Sequence, residues 1–300
     1  MSTTFSAKEK KTAPPAGHPL VDAVRRFTAQ VVIGQEGVVE RVLIAMFTGG
    51  HLLLQGVPGL AKTLLVSAMA RAINLQFGRV QFTIDLLPAD ILGSEVFDQA
   101  TGTFHVNRGP IFTNILLADE INRASPKVQS ALLEAMQERR VTIGRTTFRL
   151  PAPFLTIATQ NPVEQAGTFE LPEAQIDRFM LCHRLHYPTR TDEMQVLQQS
   201  LDLGLARHEG GAVPQTAFDL IPEEPVGDVE DLVEVMGLVQ QVYVSEVFVD
   251  HCVELVRRTR ENRHVELGCS PRAGIALVSA SRARALLHGR DHVIPDDLFA

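Results

Sequence analysis

Cysteine is scarce: Cys182, Cys252 and Cys269 show no paired spacing. That argues against a disulfide framework or a closed zinc set. Buried, reduced thiols in a cytoplasmic protein are the expectation. Long apolar runs are also missing, and none reaches the ~18 residues that a membrane span needs. Residues 1–17, with Lys8, Lys10, Lys11, Pro14 and Pro15, lack the apolar stretch of a signal peptide. They are expected to form a disordered tail. Positive charge is not in excess: the net charge is −7, so nothing global attracts nucleic acid or an anionic membrane. Internal repeats and low-complexity segments are absent. His183 and His186 flank Arg184 beside Cys182 but match no metal-ligand spacing, so they are taken as structural or surface residues.

What is present suits one large domain or two smaller ones, since 45% of the 300 residues are apolar. Leu20 to Phe27 and Glu36 to Thr48 read as helices around a turn at Val31–Gln35. His51–Gln55 reads as a buried strand in which Leu52, Leu53 and Leu54 run without polar interruption, as in a parallel sheet, followed by a Gly/Pro loop and a helix from Lys62 to Ile73. Further strands fit Arg79–Ile84, Ile111–Ala118, Phe154–Thr159 and Phe179–Leu185. Hairpins fit Val96–Val106 and Arg140–Leu150, with a helix Lys127–Glu138 between them. Strands alternating with helices predict an α/β fold with a parallel sheet.

Near Tyr187-Pro188 the pattern changes. Helices are expected from a Thr191 cap to Leu201, then over Val229–Val242, Val247–Glu261 and Pro271–Leu287, the last capped by Ser270. Gly204–Gly227 reads as loop, with no convincing strand. Pro295 opens what looks like another helix, so the natural sequence is expected to run on beyond Ala300. The division is a tail over 1–17, an α/β domain over 18–188 and a smaller all-α domain over 189–300.

Three motifs carry chemistry. Gly56-Val57-Pro58-Gly59-Leu60-Ala61-Lys62-Thr63, with Leu64 after it, sits between a strand and a helix. Backbone N–H groups at a helix N-terminus suit phosphate oxygens. Lys62 would neutralise the β- and γ-phosphates, and the Thr63 hydroxyl would bind Mg²⁺. Ala61 departs from the general pattern, which has glycine there. The second motif, Ile115-Leu116-Leu117-Ala118-Asp119-Glu120, delivers two carboxylates at a strand's C-terminal end. Asp119 suits the Mg²⁺ shell, and Glu120 suits orienting or deprotonating water. The third, Thr159-Gln160-Asn161-Pro162, ends another strand with a polar side chain for γ-phosphate or water. On its own it is equally turn punctuation.

In this order, and with Leu171-Pro172-Glu173-Ala174-Gln175-Ile176-Asp177-Arg178-Phe179, the chain resembles the AAA+ ATPases, and most closely the MoxR family. That family's loop typically carries alanine at the Ala61 position. Asp119 to Ala124 and Leu132 to Met136 also look like that family, and the resemblance runs from about Phe27 to the end. It implies that Val32, Ile33 and Gly34 pack near adenine and that Asn161 is sensor 1. It implies that Arg178 is the arginine finger acting on a neighbour's ATP. Arg272, in Ser270-Pro271-Arg272, becomes the sensor 2 arginine, reaching γ-phosphate from the lid. A planar, permanently charged donor suits both tasks. The two hairpins match elements that face a central pore in related ATPases. There Arg140, Arg145 and Arg149 either touch a substrate or are solvated charges.

The function expected is an ATP-hydrolysing, Mg²⁺-dependent ring, a hexamer by resemblance, that remodels protein partners in a chaperone-like way. The resemblance alone implies partners with a von Willebrand factor A domain. A DNA-dependent motor and a nucleotide-gated scaffold are the alternatives. The net charge and the lack of a recognisable DNA-binding domain argue against the first. The Asp119-Glu120 pair argues against the second.

Overall fold

The computed structural model describes residues 18–57, 59–162, 167–208 and 211–299. The expected tail over 1–17, Pro58 and Ala300 lie outside the described residues. The chain runs α1 (Pro19–Ala29), α2 (Glu36–Thr48), β1 (Leu52–Gln55), α3 (Lys62–Ala72), β2 (Phe77–Gln81) and α4 (Pro88–Leu92). Then come β3 (Gly93–Asp98), β4 (Thr103–Arg108), β5 (Ile115–Asp119), α5 (Pro126–Glu138), β6 (Arg140–Ile143) and β7 (Thr146–Arg149). β8 (Leu155–Gln160), α6 (Glu173–Ile176), β9 (Leu181–Arg184), α7 (Arg190–Leu201), β10 (Leu205–His208) and β11 (Gly211–Pro214) follow. α8 (Val229–Gln241), α9 (Glu246–Glu261) and α10 (Pro271–Leu287) complete it, with a short 3₁₀ turn at Pro295–Leu298 in place of the expected last helix.

Five strands form one parallel sheet in the order β2-β5-β8-β1-β9. Its central strands β5, β8 and β1 are mostly apolar on both faces because both faces are covered. Leu52, Leu54, Ile115, Leu117, Leu155 and Ile157 point into a core shared with α1, α2, α3, α8 and α10. Leu53, Leu116, Ala118 and Ala158 point the other way, against α5, Phe82 and Ile91. Successive side chains of a strand alternate between faces, and that alternation divides the two cores. Leu232, Val235, Val239, Ala283 and Leu286 of α8 and α10 are buried in the same core as α2. No described helix is long and apolar enough to cross a membrane.

Several elements differ from the sequence reading. β2 lies earlier than Arg79–Ile84 because its partner β5 ends at Asp119, opposite Gln81. Ile84, without a strand beside it, is exposed. Ile111 to Asn114 turn instead of extending, with the Phe112 N–H on the Gly109 carbonyl and the Asn114 N–H on that of Gln76. Thr189, not Thr191, caps α7, and its hydroxyl and Asp192 form a reciprocal capping box. The stretch read as loop holds the antiparallel hairpin β10–β11. Of the cysteines only Cys252 is buried; Cys182 lies on the edge strand β9 and Cys269 in the loop before α10. All three thiols are free.

Candidate functional site

β1 delivers the chain to the loop at the sheet's C-terminal edge, where α/β folds bind ligands. The Gly56 N–H donates to the Gln160 carbonyl at 3.0 Å, fastening the loop to the end of β8. A Cβ at Gly56 would lie 2.8 Å from the Cβ of Leu185, so only glycine lets the loop pass β9 this closely. Gly59 has φ +85°, and open space surrounds the place a Cβ would occupy. Ala61 is left-handed (φ 52°) and caps α3. A residue with a Cβ is held there against a cost of about 1–2 kcal/mol. The methyl is tolerated because Ala61 is exposed, so it has no packed neighbour to displace. Lys62 and Thr63 open α3, and Leu60 and Leu64 anchor the loop by being buried. Lys62 Nζ donates to the Gly56 carbonyl at 3.1 Å. Burial lowers its pKa, partly offset by the nearby carboxylates of Asp119 and Glu120.

Asp119 and Glu120 end β5 beside this loop. The Thr159 hydroxyl, fully buried at the end of β8, donates to Asp119 Oδ1 at 2.6 Å. The same hydroxyl accepts the Glu120 N–H at 2.8 Å. Glu120 is itself left-handed (φ 57°), which turns its side chain away from the strand direction. Its Oε2 accepts from Gln81 Nε2 at 2.9 Å and Arg123 Nη1 at 3.0 Å. Arg79 Nη2 donates to Asp119 Oδ2 at 2.7 Å. Asn161 is buried at the next position after β8 and Gln160, and its carbonyl accepts from Asn122 Nδ2 at 3.4 Å.

The sequence reading gives no task to Thr159, Arg79 or Gln81. Thr159 stands inside a motif it quotes. Arg79 and Gln81 are polar residues two apart at the end of an edge strand, which is the signal that marks them.

Arg178 and Arg272 are not brought to this edge. Met180, two residues after Arg178, donates its N–H to the His51 carbonyl at 2.9 Å, at the start of β1. The loop follows β1's other end, about 10 Å of strand away. Arg178 Nε donates to Gln137 Oε1 at 2.9 Å, not to Asp177 or Glu173. The Ser270 hydroxyl, which caps α10, reaches both oxygens of Asp177 at 2.8 and 2.9 Å. Arg272 Nη1 lies 3.9 Å from the same carboxylate. The two arginines therefore line one cleft of about 980 Å³, walled by His51, Phe179 and Ile275. Within one chain, the lid arginine does not stand over the loop, as its expected reach to γ-phosphate would require.

Val32 is buried and lines a cavity of about 540 Å³ between α1, α2 and His288. Gly34 has φ +70° and abuts the Asp192 carboxylate of α7. All three hairpin arginines, Arg140, Arg145 and Arg149, are exposed, and Arg140 pairs with Glu138 at 2.8 Å. Arg108 joins the two hairpins by stacking on Phe112 and Phe148, 5.1 and 5.2 Å from their centroids.

A family model described as "ATPase family associated with various cellular activities (AAA)" matches residues 51–181. An "AAA lid domain" model matches 257–300. The chain is 43% identical over 281 residues to the uncharacterized protein YeaC of Bacillus subtilis, spanning 94% of this chain and 83% of the relative. It is 40% identical to Chaperone MoxR1 of Mycobacterium tuberculosis, over 98% of this chain and 78% of that one. Protein MoxR of Methylorubrum extorquens is 31% identical, over 93% and 84% of the two chains. A crystal structure from Cytophaga hutchinsonii, provisionally assigned as an ATPase, superposes with a TM-score of 0.82 at 41% identity. It covers 93% of this chain and 83% of its own. With MoxR relatives matched over about four fifths of their length and a sheet that sets the loop beside the carboxylate pair, the chain belongs to the MoxR family of AAA+ ATPases.

Proposed function

We propose that this chain hydrolyses ATP in a closed ring of identical copies and uses the cycle to remodel protein partners. The separation of Arg178 and Arg272 from Lys62, Asp119 and Glu120 carries this reading. A chain holds the phosphate-binding half of a site at one edge of its sheet and the arginine half at the other. Only a second copy completes either half.

Each residue's task follows from chemistry. N–H groups of the loop and the start of α3 receive phosphate oxygens, where the helix dipole favours anions. Lys62 adds a partly desolvated charge, which acts more strongly than a solvated one. Val32, Ile33 and Gly34 pack on adenine, and Val57, Leu60 and Leu64 hold the loop's shape. Pro58 belongs to the same loop by sequence. Glu120 orients and deprotonates the attacking water, with Asn161 aligning it on the γ-phosphate. The neighbour's Arg178 and Arg272 meet the charge that builds on the transferred phosphoryl group.

Thr63 and Asp119 would hold Mg²⁺, which when bound neutralises charge between phosphate oxygens. The donor set fits this ion. Among the described residues no three His, Cys, Asp or Glu side chains form a metal cage. Mg²⁺ takes one or two carboxylates and fills its shell with phosphates and water. Asp119 Oδ2 already carries a cation, the Arg79 guanidinium. We further assign 18–188 to the nucleotide-binding domain, 189–300 to the lid, a hexamer as the ring and the cytoplasm as the compartment. Clients with a von Willebrand factor A domain follow from the family resemblance.

The test mixes two inactive variants. Lys62→Ala should lose ATP binding, and Arg178→Ala should keep it while losing about 10³- to 10⁵-fold in turnover. Their mixture should regain phosphate release, because some interfaces then pair an intact loop with an intact arginine. A mixture as inactive as its parts, with assembly retained, would remove the shared site.

A further inference from the structure

Arg79 and Gln81 share one face of β2, the edge strand that runs beside β5. Arg79 Nη2 donates to Asp119 Oδ2 at 2.7 Å and to Gln81 Oε1 at 3.1 Å. Asp119 is thus held from two sides, by Thr159 on Oδ1 and by Arg79 on Oδ2. The two partners differ in surroundings. The Asp119 side chain is 13% exposed, whereas that of Arg79 is 47% exposed. A carboxylate this sheltered is costly to leave without a partner. A guanidinium half in water is easily released, because its charge is solvated wherever it goes.

We propose that Arg79 is the resident counter-ion of Asp119, surrendering Oδ2 when a divalent cation arrives with the nucleotide. The inference rests on the reading of Asp119 as the metal seat. A divalent ion offers the same oxygen twice the charge at shorter range, so the exchange favours the metal once nucleotide phosphates supply its other ligands. Arg79 is a positioning residue: it keeps the Asp119 carboxylate aimed and neutralised in the metal-free chain, and it sets how tightly the metal is taken. Gln81, released from Arg79 on exchange, retains its bond to Glu120.

The measurement is a Mn²⁺ titration of the ADP-loaded full chain, with free Mn²⁺ read by electron paramagnetic resonance and folding checked by thermal melting. Arg79→Ala should bind Mn²⁺ about two- to fivefold more tightly than the natural chain, the range of an ion pair with an exposed member. Arg79→Lys, which keeps the charge, should restore the natural affinity. Asp119→Asn should lose the Mn²⁺ site. Unchanged or weaker Mn²⁺ affinity in Arg79→Ala overturns the counter-ion role, as does Arg79→Lys behaving like Arg79→Ala. If Asp119→Asn binds Mn²⁺ like the natural chain, the metal seat itself is misassigned.

Discussion

One hydroxyl, that of Thr159, ties Glu120 to Asp119: it accepts the Glu120 N–H at 2.8 Å and donates to Asp119 Oδ1 at 2.6 Å. The Asp119 carboxylate and the Glu120 backbone thereby take their position from the neighbouring strand β8. Thr159→Val keeps the shape and removes both bonds. Its turnover should fall about 10- to 100-fold, the usual effect of losing a partner behind a functional group. Thr159→Ser should stay close to the natural rate. Steady-state phosphate release on both variants checks this.

Glu120→Gln replaces a base by an amide of the same size. It should bind ATP with natural affinity and fail to turn it over, leaving ATP, not ADP, on the protein after a chase. Chromatography of the bound nucleotide reads the result. Natural turnover in this variant would remove Glu120 from the mechanism.

His51 supplies a pH dependence. Its Nδ1 accepts the Thr156 N–H at 3.0 Å, so the proton sits on Nε2, which donates to the Met136 carbonyl at 3.2 Å. Burial lowers its pKa from 6.5 to about 4, the Met136 bond opposing and Arg139 adding to the fall. Between these two values the unfolded chain binds the proton and the folded chain does not. Stability therefore rises with pH through that window and is lost as pH falls through it. The contribution is about 3 kcal/mol. Urea unfolding at several pH values should show this slope, and His51→Gln should flatten it.

Ser270→Ala removes both the cap of α10 and the link to Asp177. The cap alone contributes about 1 kcal/mol. Urea unfolding should show at least that loss. Turnover should also fall while ATP affinity holds, since Ser270 opens the helix that carries Arg272 and bonds Asp177, the chain neighbour of Arg178, and neither arginine stands at the chain's own loop. Reduced ATP affinity would instead place Ser270 near the nucleotide of its own chain.

What was legible in the sequence was the chemistry written in consecutive residues. Gly56 to Thr63 and Asp119-Glu120 are local because a strand end and a helix start position them at once. α2 was legible too, as an apolar stretch after a turn, and α10 through its Ser270 cap and Pro271. β2 was misplaced because its own alternation extends to Ile84, while its length is fixed by β5, far away in the chain. The β10–β11 hairpin was hidden by glycine and proline, which punctuate loops and hairpins alike. Arg79, Gln81 and Thr159 meet the carboxylates only through sheet register, which no local pattern encodes. The pairing of Ser270 with Asp177 depends on how the lid packs, and family resemblance alone put Arg272 with the phosphates.

The placement of Lys62 and Arg178 at opposite edges of one sheet also gives the chain a direction. Copies joined through such a site meet head to tail, never face to face. An open row of them leaves a bare loop at one end and an unused pair of arginines at the other. Closing the row removes both ends, so activity per chain becomes a gauge of closure. A variant that assembles but cannot close should lose a share of its activity that shrinks as the row lengthens.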